Sequence, residues 1–431
     1  MDSCDKGPRV EDTAKCEKFV IEGLTRTKYE TVERLFKELL KIESLGELDD
    51  VSKKIKNQLE ELECFKTADF KINLGKSPQG YEVKCTVEET PTFSGAVKTS
   101  VSNNEASVST GGWLSNLTGN ADILRGDLQL NSDKTTKRTL TYKWPLQIST
   151  FKPNLSLTLF HQDKKPLELG SVSEETGILC GADFQILKNV KQFLSWEGSI
   201  RNQCGRGSMS MKTRENCGYG TKSSLTHTAT FDDRNSQLFP TEGNLITLKT
   251  EAACFGGSTC FLKNNVNFQH YFSLPYNMIL ETCFGWGLLN PFSCESKYMD
   301  SFTVGGPLSV RGFQQDGIDP KNDCVSSYFR GNVHLYLPFI AEPVRSCDSE
   351  VSNNFHTQFF INSGSLGNGN NCLKKDMIDL TESLRVSCGV GLVVSIKSLG
   401  RIEMNYCLPL RKRDGDKIQA GLQFGVGLDF L

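Results

Sequence analysis

From residue 91 to residue 431, segment after segment of this chain sets an apolar residue at every second position. The last such segment places Ile418, Ala420, Leu422, Phe424, Val426 and Leu428 on one face. Lys417, Gln419, Gly421, Gln423, Gly425, Gly427 and Asp429 fall on the other. The segment before it opposes Ile402, Met404, Tyr406 and Leu408 to Arg401, Glu403 and Asn405. Further upstream, Ile246, Leu248 and Ala252 oppose Thr247, Lys249 and Glu251, and Leu140, Tyr142, Trp144 and Leu146 oppose Thr141 and Lys143. A period of two is the signature of a strand with unlike faces. Sixteen candidates of this kind start near Phe93, Glu105, Ala121, Arg138, Leu155, Thr176, Phe193, Lys222, Asn244, Leu262, Met278, Tyr328, Phe355, Leu384, Arg401 and Lys417.

Strands of roughly ten residues with one apolar face are what a membrane β-barrel requires. No window approaches the ~18 consecutive apolar residues of a membrane helix. A mean hydropathy of -0.34 and 38% hydrophobic residues do not argue against a barrel, because only alternate residues meet lipid. An even strand number closes an antiparallel barrel, satisfies every edge and returns both ends to one side. A soluble all-β protein is the competing reading. Lys, Glu and Arg gathered opposite purely apolar faces, over so long a chain, favour the barrel.

The first ninety residues read differently. Residues 1–17 form a polar tail without the apolar core segment of a secretory signal. A strand is expected at Lys18–Leu24. Thr27 and Glu30 have the spacing of a capping box, before an apolar face made by Val32, Leu35, Phe36, Leu39 and Leu40. Leu48, Val51, Ile55, Leu59 and Leu62 stripe a second helix. Ala68, Phe70, Ile72 and Leu74 alternate, Pro78-Gln79-Gly80 turns the chain, and Tyr81, Val83, Cys85 and Val87 alternate after it. The expected order is β-α-α-β-β over residues 18–90.

Between the eleventh and twelfth candidate strands runs a long connection, about 291–323, which contains Gly305-Gly306 and Val310-Arg311-Gly312-Phe313. An Arg facing lipid costs roughly 2–4 kcal/mol at the midplane, so Arg311 should lie on a loop folded into the lumen. The glycines free the backbone for a tight re-entrant path. The Val-Arg-Gly-Phe tetrad, in this place, resembles the signature loop of the outer-membrane assembly superfamily that includes BamA, FhaC and the chloroplast import channel. The β-α-α-β-β order resembles the POTRA module that precedes the barrel in that superfamily; a generic small α+β domain is the other reading. The implied fold is mainly β: a 16-stranded transmembrane β-barrel preceded by one α+β POTRA domain.

In the superfamily the loop Arg bonds to inward acids on the following two strands. Here the twelfth strand turns Arg330, Asn332, His334 and Tyr336 inward, and the thirteenth His356, Gln358, Phe360 and Asn362. His334 and Asn362 stand where bacterial members carry carboxylates. They are either lumen partners of the loop or solvated lumen residues. Arg311 then meets backbone carbonyls, Asn362, or an acid elsewhere. The closing segment, with Gln419, Gly421, Phe424 and Val426, resembles the β-signal of mitochondrial barrel precursors, or is simply a good final strand. Glycines on one face weaken it, and the first strand, with Phe93, Gly95 and Val97, is poor in large apolar residues. A weak seam between first and last strands is expected.

A single POTRA module and no expected signal peptide point to the mitochondrial branch of the superfamily. That resemblance implies folding and insertion of β-barrel precursors into the mitochondrial outer membrane. It implies a POTRA in the intermembrane space, metaxin-type peripheral subunits and the cristae-organising complex as partners, and contact with membrane lipid. The alternative is a protein-translocating or metabolite-conducting pore. A net charge of -2 implies no nucleic-acid partner. No catalytic triad, Gly-x-Ser-x-Gly, His-Glu-x-x-His or phosphate-loop pattern occurs, and five histidines are scattered, so no enzyme, cofactor or metal is expected. Sixteen cysteines fit no zinc spacing. They read as free thiols, with Cys204/Cys217 and Cys254/Cys260 close enough in sequence to pair.

Overall fold

The computed structural model describes residues 15–42, 44–75, 77, 80–101, 106–131, 135–146, 153–164, 171–187, 189–205, 218–237, 239–292, 300–307, 309–320, 325–339, 354–367, 380–396 and 400–427. The N-terminal module comprises β1 (Lys15–Glu22), α1 (Tyr29–Phe36), a 3-10 turn (Lys37–Lys41), α2 (Leu45–Glu61), β2 (Phe65–Leu74) and β3 (Gly80–Glu89). β3 lies at the centre of its sheet, parallel to β1 and antiparallel to β2. The apolar stripes of both helices close on it. Val32, Leu35, Phe36, Leu39, Leu48, Ile55 and Leu59 pack with Ala68, Val83, Cys85 and Val87.

Three local expectations are corrected. β1 begins at Lys15, so the segment before it is shorter than 1–17; residues 1–14, like Pro78 and Gln79 of the expected turn, lie outside the described residues. Thr27 caps no helix. Lys28 is the N-cap residue and α1 has no side-chain cap, because the Thr27 hydroxyl donates to Glu89 instead, at 2.7 Å. Along β2 the alternation stops being buried after Phe70, and Leu74 is 81% exposed at the free end of an edge strand.

Sixteen strands follow: β4 (Phe93–Val101), β5 (Ala106–Ser115), β6 (Ile123–Asn131), β7 (Thr136–Pro145), β8 (Asn154–Lys164), β9 (Ser171–Leu187), β10 (Val190–Gly205), β11 (Gly218–Asp232), β12 (Gly243–Ala253), β13 (Phe261–Leu274), β14 (Met278–Pro291), β15 (Ser327–Pro338), β16 (Phe355–Gly367), β17 (Arg385–Ile396), β18 (Gly400–Arg411) and β19 (Gly421–Gly427). Each begins within five residues of the position that the alternation marks. All form one sheet in chain order, every neighbouring pair antiparallel. The inward faces of β15, β16 and β18 are buried and polar, with Asn332, His334, Gln358, Asn362, Glu403 and Asn405. Their outward faces expose Val333, Phe359, Ile361, Met404, Tyr406 and Leu408, the lipid-facing band of a membrane barrel. Among the described residues no helix is long and apolar enough to cross a membrane.

The last strand departs from expectation. β19 starts at Gly421, not at Lys417. Gly421 has φ +93°, a left-handed kink. Residues 417–419 ahead of the kink leave the barrel ladder and pair with the internal loop. Cys254 and Cys260, between β12 and β13, are joined as a disulfide. Cys204 is free and Cys217 lies outside the described residues.

The module is fastened to the first barrel hairpins. Arg26 Nε pairs with Glu89 at 3.2 Å, and its Nη1 donates to Thr92 Oγ1 at 2.7 Å and to the Ser115 carbonyl at 3.2 Å. The β5–β6 turn returns the contact. Gly119 accepts from the Lys28 amide at 2.9 Å, Asn116 Nδ2 donates to Thr27 Oγ1 at 2.6 Å, and Ala121 packs into the module core.

Candidate functional site

The connection from β14 to β15 folds back into the barrel. Val304, Val310, Phe313 and Ile318 are buried against wall residues Phe261, Leu289, Tyr328 and Leu366. Gly305, Gly306 and Gly312 have φ of +131°, +108° and +88°, which L side chains rarely adopt. A Cβ on Gly312 would also sit 3.0 Å from Ser387 Cβ.

Arg311 is fully buried. Its Nη2 pairs with Glu403 Oε2 of β18 at 2.7 Å, and its Nη1 donates to His334 Nε2 of β15 at 2.9 Å. The guanidinium lies 5.2 Å from the Phe360 ring centroid, and its backbone carbonyl accepts from Ser387. Because a guanidinium only donates, His334 Nε2 must accept. The His334 Nδ1–H then faces Glu281 Oε2 of β14 at 3.0 Å, so the ring is neutral. Asn362 donates to the same Nε2 at 3.0 Å and accepts from the Arg311 amide at 3.2 Å. Arg401 pairs with the second oxygen of Glu403 at 2.5 Å and donates to Tyr336, which in turn donates to Glu281. Two guanidinium and two carboxylate groups thus balance around a neutral imidazole, which is how buried charge is tolerated.

His334 and Asn362 therefore both touch the loop, and the acid opposite Arg311 is Glu403. The alternation had placed Glu403 on the polar face of its strand, but nothing in one sequence says which inward residue the loop reaches.

A second anchor went unread in the sequence. Asp300, at the described start of the loop, accepts from Arg201 Nη1 of β10 at 2.9 Å on each oxygen. Arg201 Nε also pairs with Glu175 of β9 at 2.8 Å. Lys263 of β13 donates to the Asp300 carbonyl at 2.9 Å and sits 4.4 Å over the Phe302 ring. The loop is thus tied at points along a continuous run of the wall, from β9 to β18.

From the Arg311 side the loop extends to the final hairpin. Phe313 bridges Ile418, Gln314 N donates to the Lys417 carbonyl at 3.0 Å, Lys417 N to Gly317 at 2.8 Å, and Gln419 N to Gly312 at 2.9 Å. Gln419 is therefore a loop partner and not a residue of the closing strand. Beyond the kink, Phe424 faces outward and Val426 pairs with Ile402. On β4, Phe93 and Val97 are 68% and 70% exposed, with Gly95 between them. β4 and β19 lie side by side, within 8 Å between Cα atoms. Yet among the described residues no ladder joins them, whereas every other neighbouring pair has one. The weak junction expected between the first and last strands is thus the one place, among the described residues, where neighbouring strands share no ladder.

A sixteen-stranded barrel with an apolar outer face, a loop anchored in its lumen and a folded N-terminal module defines a membrane barrel of the outer-membrane type. Residues 96–430 match the Omp85 superfamily domain. Sorting and assembly machinery component 50 homolog B of Xenopus laevis is 32% identical over 424 residues, spanning 95% of this chain and 89% of that protein. The Homo sapiens homolog is 31% identical with the same coverage. The fold is shared with BamA from Haemophilus ducreyi lacking POTRA domains 1-3, at TM-score 0.79, 18% identity, and coverage of 96% of this chain and 84% of that one. CdiB from Acinetobacter baumannii superposes at 0.58, with 12% identity and coverage of 96% and 73%. The chain belongs to the Omp85 superfamily, in the family of the sorting and assembly machinery component 50 homologs.

Proposed function

We propose that this chain folds and inserts β-barrel precursors into the mitochondrial outer membrane, through a lateral gate between β4 and β19. The observation that carries the reading is that, among the described residues, β4 and β19 share no ladder in a sheet whose every other junction is hydrogen-bonded. An unpaired strand edge in hydrocarbon costs several kcal/mol for each exposed polar group. A precursor strand that pairs with the β4 edge exchanges hydrogen bonds instead of losing them. Precursor hairpins then enter through the seam until the new barrel closes and leaves.

In this reading no bond-making chemistry takes place. The module is a POTRA domain, spanning residues 18–90, in the intermembrane space, and residues 91–431 are the barrel. Gly305, Gly306, Val310, Arg311, Gly312 and Phe313 hold the lumen in order, with His334 and Asn362 as wall contacts. Phe93, Gly95, Val97, Gly421, Phe424 and Val426 form the gate, with Gln419 bracing it from the loop. Metaxin-type peripheral subunits and the cristae-organising complex are the partners this reading carries with it.

The test is depletion of the protein in cells, followed at once by import of two labelled precursors into isolated mitochondria. Failure of a porin-type barrel to assemble, while a presequence-bearing matrix protein still enters, is the expected result. Normal behaviour of both precursors would overturn the reading in favour of a pore.

A further inference from the structure

A cavity of 380 Å³ opens between α1 of the module and the outward face of β7. Its floor is aromatic. Tyr142 and Trp144 line it, with ring centroids 5.3 Å apart. They sit on the module-side end of β7, and they belong to the face that alternates with Lys143. Tyr and Trp at that height mark the boundary between hydrocarbon and water.

The opposite wall is charged. Lys28 and Arg34 line it, both exposed, together with Glu30. Lys28 Nζ reaches Asn120 Oδ1 at 3.4 Å, and among the described residues neither cation has a carboxylate within ion-pair distance. Two cations against one acid leave the mouth with one net positive charge.

The cavity is already formed, because its two walls are fastened to each other. The Gly119 carbonyl accepts from the Lys28 amide at 2.9 Å and from Thr31 Oγ1 at 3.3 Å. Tyr142 OH donates to Asp122 Oδ2 at 3.3 Å, and Asp122 is held by Thr118. A ligand therefore meets little ordering cost on entry.

We propose that this cavity is a binding site for the head group of a glycerophospholipid in the module-side leaflet. The singly charged phosphodiester sits between Lys28 and Arg34, and the glycerol and first acyl carbons lie on Tyr142 and Trp144. Soluble phosphate has the same charge chemistry but gains nothing from an aromatic floor that opens onto lipid, so the occupant is the membrane lipid. This inference needs only that the chain spans a membrane; it is independent of the insertase reading.

The test uses the full chain in detergent micelles, titrated with dioleoyl phosphatidylglycerol and read by native mass spectrometry. The expected result is one tightly retained lipid, with half-saturation shifted about thirtyfold upward in Lys28→Gln/Arg34→Gln. That figure follows from the roughly fivefold that one basic residue contributes at an anionic surface. Glu30→Gln should tighten binding. Lys53→Gln/Lys54→Gln, on α2 away from the cavity, should change nothing and controls for bulk charge. Heat-modifiable electrophoresis establishes that each barrel is folded. A Lys28/Arg34 double variant that titrates like the parent overturns the site. So does Glu30→Gln that binds more weakly. Displacement of the lipid by millimolar inorganic phosphate would assign the cavity to a free anion and overturn the lipid.

Discussion

Gln423 of β19 brackets the backbone at Gly312: its Oε1 accepts from the Gly312 amide at 3.0 Å, and its Nε2 donates to the next carbonyl, that of Phe313, at 3.1 Å. One buried amide thereby joins the closing strand to the loop beside Arg311. Gln423→Leu keeps the volume but orphans a buried N–H and a buried C=O, at about 1–3 kcal/mol each. The expected outcome is a lower unfolding midpoint in heat-modifiable electrophoresis, with faster amide exchange over 309–319. Unchanged exchange there would show that Gln423 does not hold the loop.

Glu403→Gln leaves Arg311 and Arg401 facing each other without their shared carboxylate. Breaking a buried pair by removing one partner costs roughly 3–5 kcal/mol. Glu403→Gln combined with Arg311→Met removes one buried cation together with the anion and should recover part of that loss. A double-mutant cycle on thermal midpoints measures it, and strict additivity of the two changes would refute the direct pairing.

Glu89 should make the module–barrel junction acid-sensitive. Burial opposes its ionisation, but hydrogen bonds from Thr25 and Thr27 outweigh that and hold the carboxyl at about 2, below its ordinary 4.5. A depressed acid stabilises fully above its unfolded pKa and is lost as pH falls through the folded one. The junction should therefore be intact above about pH 4.5 and loosen towards pH 2. Limited proteolysis between residues 22 and 30 across that range reports it. In Glu89→Gln the acid-dependent step should vanish.

The module thiols should be inert. Burial pushes Cys64 and Cys85 up to about 12, so roughly one part in ten thousand is thiolate at pH 8. Alkylation of intact protein should leave both unmodified until the module unfolds. Modification of either at the rate of an exposed thiol would contradict the packing described.

Gly421→Ala places a Cβ on a left-handed backbone, at roughly 1–2 kcal/mol. Nothing lies within 4 Å of the position that Cβ would take, so the cost is conformational. Straightening the kink would drive residues 417–419 off the loop and into the ladder. Cysteine cross-linking between positions 313 and 418 should fall in the variant.

The barrel was legible because its signal is local and repeated. Alternation alone located all sixteen strands, and the faces that it set inward on β15 and β16 are the buried ones. The partners of Arg311 were legible only in part. His334 and Asn362 could be named from motif spacing, but Glu403 is 92 positions away and meets the loop only because the wall curves round. Asp300 carries no periodic mark, and its partner Arg201 looks in the sequence like any lumen cation. Alternation also overran the last strand, since Ile418 and Ala420 keep the period while the backbone kinks after them. Thr27 had the spacing of a cap, but its hydroxyl donates to Glu89, which accepts from six donors on Thr25, Arg26 and Thr27, and it accepts from Asn116 Nδ2 in place of a helix amide.

The β5–β6 turn shares the module core through Ala121, so the edge that β4 begins is pinned at its module end. β19 is pinned at the other end, where the loop grips residues 417–419 and Gln423. The two margins of the seam are thus hung from opposite rims of the barrel. In the proposed gate each margin would therefore be free to swing only at the rim where its neighbour is held.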